Sequence, residues 1–489
     1  MLYSIVYLSL GQGVLLILFN YLHSFFKYTR PAFSYKATHL WFIVVFVGFL
    51  MRTDTFGVTS IVRGLSLSPN HYTSILHFFH SSAWSVEKLM STWWGWLKTE
   101  CMTYRINDRI IIAGDHTKVA KDGRYMPAVT TLHQDSETGS KPSYFRGHHW
   151  GCISIVEKMS NRFFSVPLIA SVQEGLENID HEDEGKSKTT WIVEMAINVA
   201  KYTGIKSLLI LDAYFSVGPV FEYSAKHRLE GEQLVHILVR AKKNITAYLP
   251  AISSLEKKRG APKKYGDKLK LMSLFDSNLY DFSSVEAEVY GEKETIKYLC
   301  LNLLWKPIKS KLRFILVENS RGRIILISSD LTIDPAVAIE LYCRRITIET
   351  MFNVLKNIVG GLQYHFWSSY LKRASRSPVK KELINQSSSN NKKTLCTLAA
   401  IEKFVNIQLL VIGMLQLVSM KFREEVLGQA NCWMRTINKL SPSEFLTKTA
   451  LQNILKSKLS CFSNNAIIQL IQGRMAEPFD DREDFKKTS

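Results

Sequence analysis

Apolar residues recur along this chain in two rhythms, and the switch between them divides it. Residues 1–105 read as mostly helical. Within them, Thr59–Leu65 is expected to form a short helix ending near Gly64, and Ser66-Leu67-Ser68-Pro69 a turn. Ser68 suits the N-cap and Pro69 the first position of a second helix, Asn70–His80. Helix, tight turn, helix is a geometry that presents one helix to a DNA groove, with Asn70, His71, Thr73, Ser74 and His77 in reach of bases. An ordinary helical hairpin inside a core fits the same pattern equally well.

Beyond residue 105 the rhythm becomes strand and helix in alternation. Arg109–Gly114 is a β-rich run ending at Asp115, and Cys152–Val156 and Phe163–Val172 are further strands. Trp191–Tyr202 reads as a helix, Ser207–Leu211 as a buried strand ending at Asp212, and Leu234–Val239 as another strand. The expectation is an α/β core of mixed strand order, residues 106–242. From 243 to 334 strands dominate (Tyr298–Leu304, Leu312–Val317, Ile324–Ile327), with turns at Asn319–Gly322 and Ser328–Asp330, which predicts a β-rich insertion. A helix follows from Pro335 to about Val359, so 335–370 returns to the core. Residues 371–394 read as a basic linker and 395–489 as a C-terminal helical domain.

Two apolar stretches raise the question of a membrane. Residues 1–26 lack Asp, Glu, Lys and Arg, and residues 41–51 are nearly all apolar. The first is studded with polar residues and has no basic leader; the second is shorter than the roughly 20 residues a span needs. Buried helices are expected, and no membrane partner. Seven cysteines, an odd number with no Cys-x-x-Cys spacing, argue for reduced thiols rather than a disulfide framework or structural zinc.

Charge adds a partner class. The formal net charge is +19, which fits a protein that meets a polyanion, and a basic enzyme without one as readily. The charge is concentrated: residues 240–275 hold ten Lys or Arg against Glu256 and Asp267. Within that run Lys257, Lys258, Arg259, Lys263 and Lys264 are spaced by Gly260, Ala261 and Pro262. That spacing favours an extended loop that follows a phosphate backbone over a merely solvated one.

Candidate chemistry begins with two aspartates, Asp115 and Asp212, each after an apolar strand, where side chains project from a sheet rim. Either alone could simply cap a turn. The 335–359 helix adds Tyr342, Arg345, Glu349 and Lys356, which fall within about 60° of one another at about 100° per residue. Such a stripe can face a shared site; Arg345 and Glu349 at i,i+4 could also be a plain surface ion pair.

The spacing Tyr-x2-Arg-x3-Glu-x6-Lys resembles the signature of the DDE insertion-sequence transposases. Gly114-Asp115-His116-Thr117 and Asp212-Ala213-Tyr214-Phe215 resemble that family's first and second aspartate motifs. Gly147-His148-His149-Trp150-Gly151 resembles the block after the first, and Arg259–Gly266 the family's basic Gly-Arg-Pro-x-x-Tyr-Gly block. The likeness covers about residues 50–370. It implies a ribonuclease-H-like mixed-sheet core interrupted by the β-rich insertion, with helical N- and C-terminal domains. The N-terminal domain, 1–105, would bind DNA. Asp115, Asp212 and Glu349 would hold two Mg²⁺ ions, with Mn²⁺ able to substitute, for phosphodiester cleavage at transposon ends and strand transfer into target DNA. Oxygen-only ligands suit those hard cations. Tyr342, Arg345 and Lys356 would contact phosphates. Trp305 is a candidate to stack on a flipped base, although a strand-core role accounts for it more simply. The resemblance also implies a homodimer on paired DNA ends, no nucleotide cofactor, and a bacterial, cytoplasmic, nucleoid-associated setting. The competing expectation is a domesticated relative that binds DNA without cutting it.

Overall fold

The computed structural model describes residues 17–134, 142–160, 162–175, 187–251, 263–277, 279–371, 373–374, 388–460 and 464–477. The chain opens with helices α1 (residues 17–29), α2 (Lys36–Met51), α3 (Thr59–Gly64), α4 (His71–His80) and α5 (Val86–Glu100). The apolar run 41–51 lies in α2, whose residues Phe42 to Met51 are all buried, as expected of a core helix. The turn between α3 and α4 departs from expectation. Ser68 contributes its backbone carbonyl to the His71 N–H, and α4 has no side-chain cap. Leu67 instead forms a bridge with Met475, and the Ser68 N–H donates to the Arg474 carbonyl, so the C-terminal segment is stitched to this turn.

The core follows: β1 (Arg105–Ile106), β2 (Arg109–Ala120), β3 (Thr130–His133), β4 (Tyr144–Met159), β5 (Arg162–Val172), α6 (Lys188–Thr203), β6 (Ser207–Leu211), α7 (Gly218–Ala225), the small hairpin β7 (Arg228–Leu229) and β8 (Glu232–Gln233), and β9 (Val235–Arg240). β5, β4 and β2 run antiparallel in that order, then β6 lies parallel to β2 and β9 parallel to β6. Every residue of β6 is buried, as a parallel strand covered on both faces requires.

The β-rich segment adds β10 (Thr246–Pro250), β11 (Tyr265–Lys270), β12 (Ser283–Val289), β13 (Glu292–Trp305), β14 (Ser310–Asn319) and β15 (Gly322–Ser328). It continues the core sheet, because β15 pairs with β9 through Leu326–Arg240 to Ser328–Leu238. The result is one mixed sheet of thirteen strands among the described residues. The buried ion pair Arg109–Asp330, at 2.6 Å, ties the start of β2 to the loop after β15.

The expected single helix 335–359 is segmented: α8 (Pro335–Arg344), a step at Arg345, α9 (Ile346–Asn353), then a π-turn over Val354–Ile358. After it come α10 (Ser388–Lys421), α11 (Arg423–Gln429), α12 (Glu444–Leu459) and α13 (Ala466–Gln472). α10 starts inside the stretch expected to be a linker. Its Lys392–Lys421 part is long and apolar enough to cross a membrane, yet 78% of its apolar window is buried within the protein.

The polar residues of α10 explain where it sits. Among the described residues β5 pairs only with β4, so its other edge presents backbone groups. Asn406 accepts from the Ala170 N–H at 3.0 Å and donates to the Ala170 carbonyl at 2.8 Å. Glu402 accepts from the Val172 N–H at 2.9 Å, and Gln416 donates to the Ser165 carbonyl at 3.2 Å. From α5, the indole N–H groups of Trp93 and Trp94 bind the Pro167 and Leu168 carbonyls, each at 2.8 Å. Helices from both ends of the chain thus close the sheet edge, and their apolar faces form one continuous core with it.

Candidate functional site

The carboxylates are aligned by strand register. Ala113 of β2 is the partner of Ile210 in β6, at the end of a regular parallel ladder. Carrying that register two residues further sets Asp115 beside Asp212, and side chains at equal register share a face. β2 does not end at Asp115, as the sequence suggests; it runs on to Ala120 paired with β4 alone. Asp115 stands where the parallel ladder stops and the cleft begins. Its neighbour Gly114 faces the other way, where a Cβ would meet Ile192 of α6 and Leu209 and Leu211 of β6. The aspartates therefore face away from α6.

On their side, α9 packs against β2, β4 and β5. Arg345, at the step between α8 and α9, donates to Asp115 Oδ2 at 2.9 Å and to Glu349 Oε1 at 2.7 Å. Asp115 Oδ1 also accepts from the His116 N–H at 2.7 Å. Asp212 caps the 3-10 turn Ala213–Phe215 by accepting from the Tyr214 N–H at 3.0 Å. Burial pushes the Asp115 carboxyl up to about 6; Arg345 opposes that, and the nearby charges of Asp212 and Glu349 add to it. Burial raises Asp212 too, against the pull of Arg345. Asp115 feels the charge of Asp212 and Glu349, and Asp212 that of Glu349, so both aspartates lie in one electrostatic neighbourhood.

Their donor chemistry, carboxylate oxygen throughout, fits a hard divalent cation. Among the described residues no group of three or more His, Cys, Asp or Glu side chains is placed to hold a metal ion. The Arg345 guanidinium stands between Asp115 and Glu349 and supplies the positive charge there. A metal would require it to withdraw.

The other expected site residues divide. Tyr342 is buried, and that burial raises its phenol. Lys356 lies in the π-turn, half-buried and with no ion-pair partner among the described residues. The π-turn also moves it off the simple helical wheel. Trp305 ends β13, buried, and meets Phe221 edge-on at 5.5 Å. It also walls a cavity of about 430 Å³ with Ser216, Lys242, Tyr248 and Lys306. Lys263 and Lys264 are exposed just before edge strand β11. Lys257, Lys258 and Arg259 lie outside the described residues. Asn70, just before α4, and Thr73 and His77 within it are exposed, while His71 meets Trp41 edge-on at 5.4 Å.

A second cavity, about 670 Å³, opens from Asp115 and Asp212 toward the start of α6. His116, Tyr214, His149 and Glu174 line it. His149 Nδ1 lies 2.9 Å from Glu174 Oε1, and His116 packs against His149, Tyr214 and Phe215. Burial pushes the His116 imidazole down to about 3, helped by His149 and nearby lysines, so this ring is neutral.

Sequence reading missed the anchors behind the site. Tyr364 is fully buried, and its hydroxyl meets His148 Nδ1 at 2.6 Å and accepts from the Trp150 indole at 3.0 Å. His148 Nε2 lies 2.7 Å from the Pro127 carbonyl, which fixes that nitrogen as the protonated one. The Lys121 ammonium sits 3.7 Å over the Tyr364 ring and donates to the Leu362 carbonyl at 2.6 Å. The only sequence signal for this cluster was the His148-His149-Trp150 block.

No protein-family model matches the chain, and no curated protein matches it.

Proposed function

We propose that this chain is a DDE-type DNA transposase with a ribonuclease-H-like core, cleaving transposon ends and joining them to target DNA. The observation that carries the reading is the place of Asp115 and Asp212, each two residues beyond the last pair, Ala113–Ile210, of adjacent parallel strands, with Arg345 linking Asp115 to Glu349. The strand sequence, three antiparallel and then two parallel to the first, supports that core type. In the active state Asp115, Asp212 and Glu349 would hold two Mg²⁺ ions, or Mn²⁺ in their place. Those cations would activate the attacking oxygen and neutralise the phosphate. Arg345, released from the acids, would move to a phosphate with Lys356. The exposed lysines near β11 and the polar face of α4 would bind DNA along its backbone and groove. Trp305, Tyr248 and the cavity they wall would receive an unstacked base. A homodimer on paired ends, in the cytoplasm at the nucleoid, completes the proposal.

The decisive experiment incubates purified protein and Mg²⁺ with DNA bearing the inverted repeats that this reading expects to flank its gene. Nicking at the repeat ends and strand-transfer products are expected. Cleavage without joining would point to another nuclease of this core type. The Arg345 ion pairs favour one alternative, a DNA-binding relative that does not cut. In that case the ends are bound, no nick appears with Mg²⁺ or Mn²⁺, and Arg345 stays on Asp115.

A further inference from the structure

We propose that Arg52 is a positioning residue that couples the α3–α4 unit to the helix carrying Glu349. The proposal rests on the reading of Glu349 as a metal ligand and α3–α4 as a DNA-binding unit. Arg52 follows α2 and is 1% exposed, among the most buried large side chains of the molecule. No carboxylate among the described residues forms a direct ion pair with it; Asp54 acts on it through its charge and is itself paired with Arg63. Its guanidinium instead gathers backbone, hydroxyl and amide oxygens from three regions. Nη1 donates to Ser60 Oγ at 3.0 Å and to the Gly57 carbonyl at 3.5 Å, at the entry to α3. Nη2 donates to the carbonyls of Val359 and, at 3.1 Å, Gly360, just past the π-turn that ends the Glu349 helix. Nη2 also donates to Gln408 of α10 at 2.8 Å, while Phe49 and Phe404 flank the group at 4.7 and 5.8 Å.

A buried guanidinium is costly, and an apolar residue would fill the space without that cost. What an apolar residue lacks is a planar set of donors that can hold several acceptors in fixed relative positions. Here the acceptors belong to α3 on one side and to the end of the catalytic helix on the other. The surrounding packing makes the link stiff. The Gly57 N–H donates to the Gln363 carbonyl at 3.1 Å, and Gly360 has φ +67°, with Thr55 where its Cβ would lie. Lys448 of α12 binds the Ile358 carbonyl at 2.9 Å. Movement of α3 on docking DNA is therefore transmitted to residues 358–360, and from there along the helix to Glu349.

Arg52→Lys keeps the charge and loses the planar fork; Ser60→Ala removes only the α3 contact and serves if the lysine variant does not fold. Each is compared with wild type for binding of the repeat-end duplex, for single-turnover cleavage with Mg²⁺, and for backbone hydrogen exchange over residues 346–363 with and without that duplex. The expected result is near-normal binding, cleavage slowed by about tenfold, a typical size for coupling between sites, and loss of the protection that the duplex confers on 346–363. Glu349→Gln should lose cleavage and keep that protection. Wild-type cleavage or an undiminished duplex effect in the variants overturns the coupling. A wild-type protein that binds the duplex but never cuts it removes the catalytic reading alone, since the exchange measurement still decides whether Arg52 couples the two regions. A wild-type protein that does not bind the duplex overturns both.

Discussion

Arg345 occupies the gap between Asp115 and Glu349 with only 17% of its side chain exposed, so its removal exposes what the acids do to one another. Arg345→Met is expected to destabilise the protein by about 2–4 kcal/mol in chelator, because a buried partner is left uncompensated. Added Mg²⁺ should restore much of that loss; thermal denaturation with and without the ion measures it, and an unchanged deficit counts against a metal site. Asp115→Asn, Asp212→Asn and Glu349→Gln should each abolish cleavage while binding of the ends persists. Near-normal turnover in any one removes that residue from the triad. The raised Asp115 carboxyl also sets a pH dependence. Folded protein holds this proton more tightly than unfolded chain does, so the group's contribution is full below the unfolded value and is lost as pH rises through about 6. The loss is on the order of 3 kcal/mol, and Asp115→Asn should flatten it in urea titrations between about pH 4 and 7.

At the scale of elements, one close joint lies between α10 and α5. A Cβ at Gly413 would overlap the Trp93 ring, whose indole is held on the Pro167 carbonyl and cannot swing away freely. Gly413→Ala should cost about 1–3 kcal/mol by equilibrium denaturation, as overpacking does; a neutral result would mean the two helices can separate. The elements themselves were largely legible in the sequence. The short helix Thr59–Gly64 and strand Ser207–Leu211 could be read because apolar period and flanking turns agreed, and the apolar run 41–51 was legible as buried helix, though its start at Lys36 was not. The continuation of β2 past Asp115 could not, since His116 to Ala120 owe their strand form to β4 rather than to their own residues. Nor could the step at Arg345, or the π-turn, whose end is gripped from outside by Arg52 and Lys448. The site was legible as residue types and spacing. The guanidinium between the acids was foreseen only as an Arg345–Glu349 pair along the helix, because contact with Asp115 depends on the tertiary fold.

For the whole molecule, the charge and the sheet matter more than any one contact. With a net charge of +19, affinity for DNA should fall steeply as salt rises, and binding titrations at several salt concentrations give the slope. Salt-insensitive binding would undercut the role given to the exposed lysines. The apolar helix α10 is spent on sealing the β5 edge, so the untagged protein should stay in the supernatant on ultracentrifugation.

That seal also constrains biosynthesis. The β5 edge and the apolar faces of α2, α4 and α5 emerge from the ribosome long before α10, which begins at Ser388, is made. A nascent chain of about 380 residues therefore presents a bare strand and open greasy helices together, a state prone to aggregation. Recovery of soluble protein should depend on holdase chaperones during translation, and ribosome-bound intermediates stalled before residue 388 should be far more protease-sensitive over 162–172 than the finished chain.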